Sequence, residues 1–373
     1  MKFTVSSAEL LKGISLAQKA IPSKTAEAIL ENYLFDLKGD VLSLTASDGE
    51  ITIKTKVGIV SNEEDGRIAV PSRQITDLLK ELPDQPVSIS TESENAFKFS
   101  WLTGESTLPY FIADDYPKPV TPRNEAKTVT FPGETLSVGI GSTVYASSDE
   151  TNRPIMNSIF FDIKPDYTTL VASDLQKLIC YTAPEVTSPE ACSFILNKRH
   201  ALVLRGILGK DIEEVNVTFD DKVAVFTFGD TKMTCALVAG KYPDYTTIIP
   251  KNNSNILRVQ RLALLNAAKR ISVCSPKGSN QIRFDFSAEG LEISAEDLGF
   301  EIAAHEKVEC EYNGDDIVIG FKSNHIIEIL ANLGCDGIVM KLADKRRSVL
   351  ILPEEEEAEN ERVFGIVMPN MVR

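Results

Sequence analysis

Long apolar runs are missing from this 373-residue chain, and with them any stretch of about 18 residues able to span a membrane as a helix. The opening Met1-Lys-Phe-Thr-Val alternates polar and apolar like a strand and has no signal-peptide core, so a cytoplasmic protein is expected. Cysteine is sparse: the six at 180, 192, 235, 274, 310 and 335 form no close pair, which argues for reduced thiols and against a zinc site. The three histidines, His200, His305 and His325, fall in different predicted elements with no carboxylate partner evident in sequence, which weakens a metal reading further. There is no P-loop lysine motif, no Gly-x-Ser-x-Gly elbow and no His-Glu-x-x-His. Gly139-Ile-Gly141 lies inside a predicted helix and lacks the third glycine of a dinucleotide fingerprint. Aromatic residues do not interleave with basic ones, so stacking on single-stranded nucleic acid is not indicated. These absences favour a binding or scaffold protein over an enzyme, with no cofactor and no metal.

What is present is an ordinary globular composition, 43% hydrophobic and 25% charged, with a net charge of −15. Taken alone that charge argues against a nucleic-acid binder. Length allows two or three domains, and an internal repeat selects three. Leu44-Thr-Ala-Ser-Asp48, Leu170-Val-Ala-Ser-Asp174 and Ile293-Ser-Ala-Glu-Asp297 place their aspartates 126 and 123 residues apart, about a third of the chain each time. An aspartate closing a strand can accept hydrogen bonds from the backbone just after it, so each reads first as a turn cap. A hydrolase using these carboxylates is the alternative, and it would lose its activity in Asp174→Asn while still folding.

Each copy runs through the same elements. A strand leads into an amphipathic helix, predicted at 6–20, 133–147 and 260–271; Leu10, Ile14, Ala17 and Ile21 recur at spacings of 4, 3 and 4 along one face. Ser6 with Glu9 has the form of a capping box. Alternating strands follow, then a second helix at 72–82, 197–210 and 321–333, then further strands. Asp115-Tyr-Pro117 and Lys241-Tyr-Pro-Asp-Tyr245 each precede a proline-containing linker, which sets domains at 1–122, 123–249 and 250–373. Every domain is an α+β unit of antiparallel strands with two helices over one face. The six predicted helices carry twelve basic and five acidic residues, net +7, which leaves −22 for the rest; the helix at 133–147 contributes no basic residue. The run Glu354–Glu357 reads as a solvated loop between strands.

Met1-Lys-Phe-Thr-Val with Leu10-Leu-Lys12, then Tyr242-Pro-Asp-Tyr245 through Ile249-Pro-Lys-Asn252, and finally Val367-Met-Pro369, occur in an order and spacing that resemble the bacterial sliding clamp, the beta subunit of DNA polymerase III. The resemblance covers all three domains without a large insertion. It implies two chains closed head to tail into a homodimeric ring of six domains, with two inner helices per domain and sheets outside. Such a ring encircles double-stranded DNA without reading sequence and tethers the DNA polymerase III catalytic subunit, the clamp loader and other proteins bearing a clamp-binding motif. Basic helices facing phosphates permit sliding, so −15 overall is compatible with a DNA partner.

By position, the resemblance places a peptide cleft at Arg153, Met156, Ser173, Leu175, Gln176, Lys177 and Leu178. Pro243, Thr247 and Ile248 would add to it, with Ile366, Val367, Met368, Pro369 and Met371 from the tail and Met371 as the gate. Lys12, Lys24, Arg73, Lys198 and Arg199 would face DNA; Leu108 would meet Val273 and Cys274 of a second chain, both surfaces apolar and exposed. The sequence departs from the family at Leu175-Gln-Lys-Leu178, where Gly-His-Arg-Leu is common, and at Pro154 and Ile155, where tyrosines are usual. The alternative is a non-ring peptide-binding scaffold of the same fold.

Overall fold

The computed structural model describes residues 1–91, 95–123, 125–354 and 362–371. All six predicted helices form, mostly with tighter bounds: α1 Ser7–Ala17, α2 Ser72–Lys80, α3 Gly133–Thr143, α4 Lys198–Ile207, α5 Arg261–Ser272 and α6 Ser323–Asn332. α1 and α3 each finish in a 3-10 turn, Gln18–Ala20 and Val144–Ala146. Ser6 caps α1 by accepting the Glu9 N–H at 3.3 Å. With these bounds the α-helices hold nine basic and four acidic residues, so their net charge is +5 rather than +7.

The chain forms two compact units. The first joins Met1–Leu136 to Arg199–Leu237. Its nine-stranded antiparallel sheet passes from the first repeat into the second where Ile51–Gly58 pairs with Thr231–Ala236, Ile53 opposite Met233. A five-stranded sheet ends on Gly104–Pro109. The second unit joins Ser137–Lys198 to Val238–Arg373. Its own nine-stranded sheet passes from the second repeat into the third where Lys177–Ala183 pairs with Arg362–Val367, Leu178 opposite Ile366. A four-stranded sheet ends on Ile302–Val308.

Side chains alternate along these strands, so one sheet face carries helices and the other does not. Close packing on the helix side needs small residues. A Cβ on Gly13 of α1 would collide with Val57 and Leu44, and one on Gly139 of α3 would sit 2.9 Å from the Tyr181 ring. The two glycines are 126 residues apart, the spacing of the repeated aspartates, so the repeat extends to the packing of the first helix. Glu354 is exposed and sits 3.8 Å from Arg258; the remainder of the acidic run lies outside the described residues.

Candidate functional site

The repeated turn organises the site. Asp174 Oδ1 accepts the Gln176 and Lys177 N–H groups, both at 2.8 Å; Ser173 Oγ accepts the Leu175 N–H at 3.0 Å and donates to the Lys177 carbonyl at 2.8 Å. The first repeat makes the same four bonds. Asp48 Oδ1 accepts from Glu50 and Ile51, and Ser47 Oγ accepts from Gly49 and donates to Ile51. In the third, Asp297 Oδ1 accepts from Gly299. These carboxylates are turn caps.

In the second unit the turn opens onto a groove of about 190 Å³ on the helix-free sheet face. Leu178 and Ile366, cross-strand partners, are floor residues, with Met156 beside them. Tyr242, Pro243, Asp244, Tyr245 and Ile248 form one side. That segment is fixed to the sheet: Tyr242 stacks on Phe160 with centroids 4.8 Å apart, and the Tyr245 hydroxyl donates to Asp162 Oδ2 at 2.8 Å. Burial pushes both phenols far above their ordinary range, so each stays protonated. Leu175 (59% exposed), Ile248 (47%) and Met368 (43%) make an apolar rim over the buried floor. The volume lies below the 300–1,000 Å³ of most small-molecule sites and suits one or two side chains of a peptide.

Lys177 contributes to the groove wall, but its charge is committed elsewhere. Alternation turns its side chain to the helix side, where the ammonium lies 2.9 Å from Asp174 Oδ2 and 2.9 Å from Glu328 Oε2 on α6. His325 Nε2 approaches the same Asp174 oxygen at 3.5 Å. Burial would raise the Asp174 carboxyl, but hydrogen bonds and charge from Lys177 outweigh it and hold it below the usual range. Burial would lower Lys177, and its two carboxylates outweigh that in turn. For His325 burial wins and the imidazole is held low.

Of the residues expected in a cleft, Met156, Ser173, Leu175, Gln176, Lys177, Leu178, Pro243, Ile248, Ile366 and Met368 line this groove. Arg153, Thr247, Val367, Pro369 and Met371 do not. Arg153 is exposed beside Glu150, and its carbonyl accepts the Met156 N–H, so it shapes the turn that sets Met156. The Thr247 hydroxyl donates back to the Asp244 carbonyl. Val367 is fully buried. The tail leaves the groove after Met368: the Asn370 N–H donates to the Gly320 carbonyl, and Gln281 donates to the Met371 carbonyl. Met368 therefore sits at the rim where the resemblance puts Met371. Tyr242, Asp244 and Tyr245 are lining residues missed from sequence, although they flank Pro243 in the quoted motif.

Lys12, Lys24, Arg73 and Arg199 are exposed, with Lys24 on a loop rather than a helix. Lys198 is half-buried, 2.7 Å from Asp149; Arg199 pairs with Asp48. Val273 is 79% exposed and Cys274 half-buried, but Leu108, expected on an exposed patch, is only 9% exposed because its strand packs it inward. Leu298, Phe300 and Ile302 are exposed apolar residues of the third repeat; Leu298 follows the repeated Asp297 as Leu175 follows Asp174, but its φ is not left-handed. Among the described residues no cluster of three or more His, Cys, Asp or Glu side chains could hold a metal, and no helix is long and apolar enough to cross a membrane.

Repeated α+β units and a small apolar groove define a class, a multi-repeat scaffold of non-enzymatic appearance. Three family profiles match in succession: the N-terminal domain of the DNA polymerase III beta subunit at residues 1–120, its central domain at 130–244 and its C-terminal domain at 246–370. The beta sliding clamp of Pseudomonas aeruginosa is 28% identical over 99% of both chains, and that of Escherichia coli K12 is 27% identical over 99% of both. A crystal structure of the Pseudomonas aeruginosa DNA polymerase III subunit beta, 26% identical, superposes over the whole of both chains with a TM-score of 0.94. The chain belongs to the DNA polymerase III beta subunit family of sliding clamps, which are non-catalytic processivity factors of DNA replication.

Proposed function

We propose that two copies of this chain close head to tail into a ring of six repeats around duplex DNA in the cytoplasm, with repeats at 1–122, 123–249 and 250–373. The groove of the second unit then tethers the replicative polymerase, the clamp loader and repair proteins through a short linear motif. The observation that carries the tethering is the groove itself: a buried floor of Leu178 and Ile366 beneath the exposed rim of Leu175, Ile248 and Met368. Apolar anchors of a peptide gain by leaving water there.

Two outermost strands, Gly104–Pro109 and Ile302–Val308, leave backbone groups open to pairing with another chain. Leu108 lies on the first; Val273 and Cys274 follow α5 near the second in the same unit as Leu298 and Phe300. Joining such edges between two copies gives the exposed Val273, Leu298 and Phe300 side chains a partner. Lys12, Lys24 and Arg73 supply exposed positive charge toward phosphates, while Lys198 and Arg199 must share theirs with Asp149 and Asp48. The acidic remainder of a −15 chain keeps DNA from the outer surface.

The test is topological. With a compatible loader and ATP, the protein should co-elute with nicked circular DNA and be released when that circle is linearised. Its mass without DNA should be twice 41.0 kDa. A monomer that binds peptide but is never retained on circles would favour the non-ring scaffold.

A further inference from the structure

Leu175 holds a backbone conformation that leucine rarely adopts. Its φ is 74°, and among the described residues Asn280 and Glu301 are the other non-glycine cases. Left-handed backbone crowds Cβ against the following carbonyl, which is why glycine usually fills such positions. The first repeat provides the internal control. Its turn makes the same four hydrogen bonds, and the corresponding residue is Gly49, with φ 92°. The turn therefore requires no leucine. Nor does the core, because Leu175 is 59% exposed. A strained, exposed apolar side chain whose turn would close more easily with glycine points to a role in binding.

We infer that Leu175 is a specificity-determining wall of the peptide groove, held upright by the Ser173–Asp174 turn and closing the side opposite the Tyr242–Ile248 segment. The inference rests on the groove reading above and deepens it. The groove keeps about 190 Å³ and stays open along one side. By filling space that a glycine would leave free, the isobutyl group favours a peptide whose deepest anchor is aliphatic over one whose anchor is a large aromatic ring. Glycine at this point would leave that side open to solvent, as the turn of the first repeat is.

Two substitutions separate the wall from the strain. Leu175→Ala keeps the left-handed strain and removes the wall; Leu175→Gly removes both. Fluorescence polarisation with labelled Gln-x-x-Leu-Leu and Gln-x-x-Leu-Trp peptides reads affinity, and thermal unfolding reads strain. The wild type should prefer the leucine-ended peptide. Both variants should bind it about tenfold more weakly, the loss that about 1.4 kcal/mol of contact gives, and the preference over tryptophan should shrink. Only the glycine variant should melt at a higher temperature than the wild type. Unchanged affinities and preference in both variants, with the wild type binding, would overturn the role of Leu175. So would a lower melting temperature in both, which would make the leucine a packing residue. Failure of the wild type to bind either peptide would instead defeat the groove reading itself.

Discussion

The molecule builds the same junction twice. In the first unit, Ile51–Gly58 joins the sheet to Thr231–Ala236; in the second, Lys177–Ala183 joins it to Arg362–Val367. Each junction starts from the same serine–aspartate turn, and each receives a helix whose third residue is a buried histidine, His200 in α4 and His325 in α6. The differences lie in where charge and apolar surface go. In the first unit the helix supplies the cation, Arg199 to Asp48, and the strand supplies Ile51, fully buried. In the second the helix has Asn324 at that step, and the strand supplies Lys177, buried between Asp174 and Glu328. On the other sheet face the first junction places Thr52, bonded to Ser47 at 2.9 Å, where the second places Leu178 under a groove. One scaffold thus yields a junction with a hydrogen-bonded threonine or one with an apolar groove, depending on a handful of side chains.

The largest break in that comparison should come from Leu178→Ala. Truncating a leucine buried to 2% should cost about 3 kcal/mol of stability and reduce peptide affinity by more than tenfold. Thr52→Ala loses one buried hydrogen bond, about 1 kcal/mol, and leaves peptide binding unchanged. Denaturant unfolding and polarisation measure both. Next is the cation. Lys177→Met takes the shared cation from Asp174 and Glu328 and should cost about 3 kcal/mol, whereas Arg199→Met leaves the Asp48 carboxylate, whose side chain is only 4% exposed, with its backbone donors alone and should cost about 2 kcal/mol.

Acid should weaken both junctions together. Burial holds His200 and His325 below the ordinary 6.5, despite partial compensation by Glu50 and Asp174. A group whose folded pKa is depressed contributes stability above its unfolded pKa and loses it as pH falls through the folded one. Melting temperature should therefore decline below about pH 6.5, and His200→Gln with His325→Gln should flatten that first decline. Asp174, also held low, adds a second loss at still lower pH. The smallest effect belongs to the basic residues proposed to face DNA. Arg73→Ala should lower the slope of log affinity against log salt by about 0.9 if it meets one phosphate, while stability shifts by no more than about 0.5 kcal/mol.

Much of this fold is legible in the sequence because its signals are local. Helical periodicity locates all six helices, and the triple Ala-Ser-Asp or Ala-Glu-Asp phrase locates the turns. What is not legible depends on pairing between distant segments. Nothing near Lys177 announces that its strand pairs with Arg362–Val367, so the sheet that crosses from repeat to repeat is invisible locally. The ion cluster on α6 is hidden for the same reason: Glu328 and His325 look like ordinary helix residues until the sheet brings Lys177 beneath them. The course of the tail is hidden as well: the Asn370 N–H donates to the Gly320 carbonyl and Gln281 donates to the Met371 carbonyl, which carries the chain away from the groove after Met368. Tyr242 and Tyr245 sit in the quoted motif, yet their roles depend on Phe160 and Asp162, about 80 residues earlier.

Methyl NMR of the intact protein, titrated with a Gln-x-x-Leu-Leu peptide, tests the central asymmetry most directly. Saturable shifts should appear at Met156, Leu175, Leu178, Ile248, Ile366 and Met368, while Ile51, Ile53 and Met233 at the other junction stay still. Equal shifts at both junctions, or none at the first group, would contradict the assignment of a single receptor groove to the second.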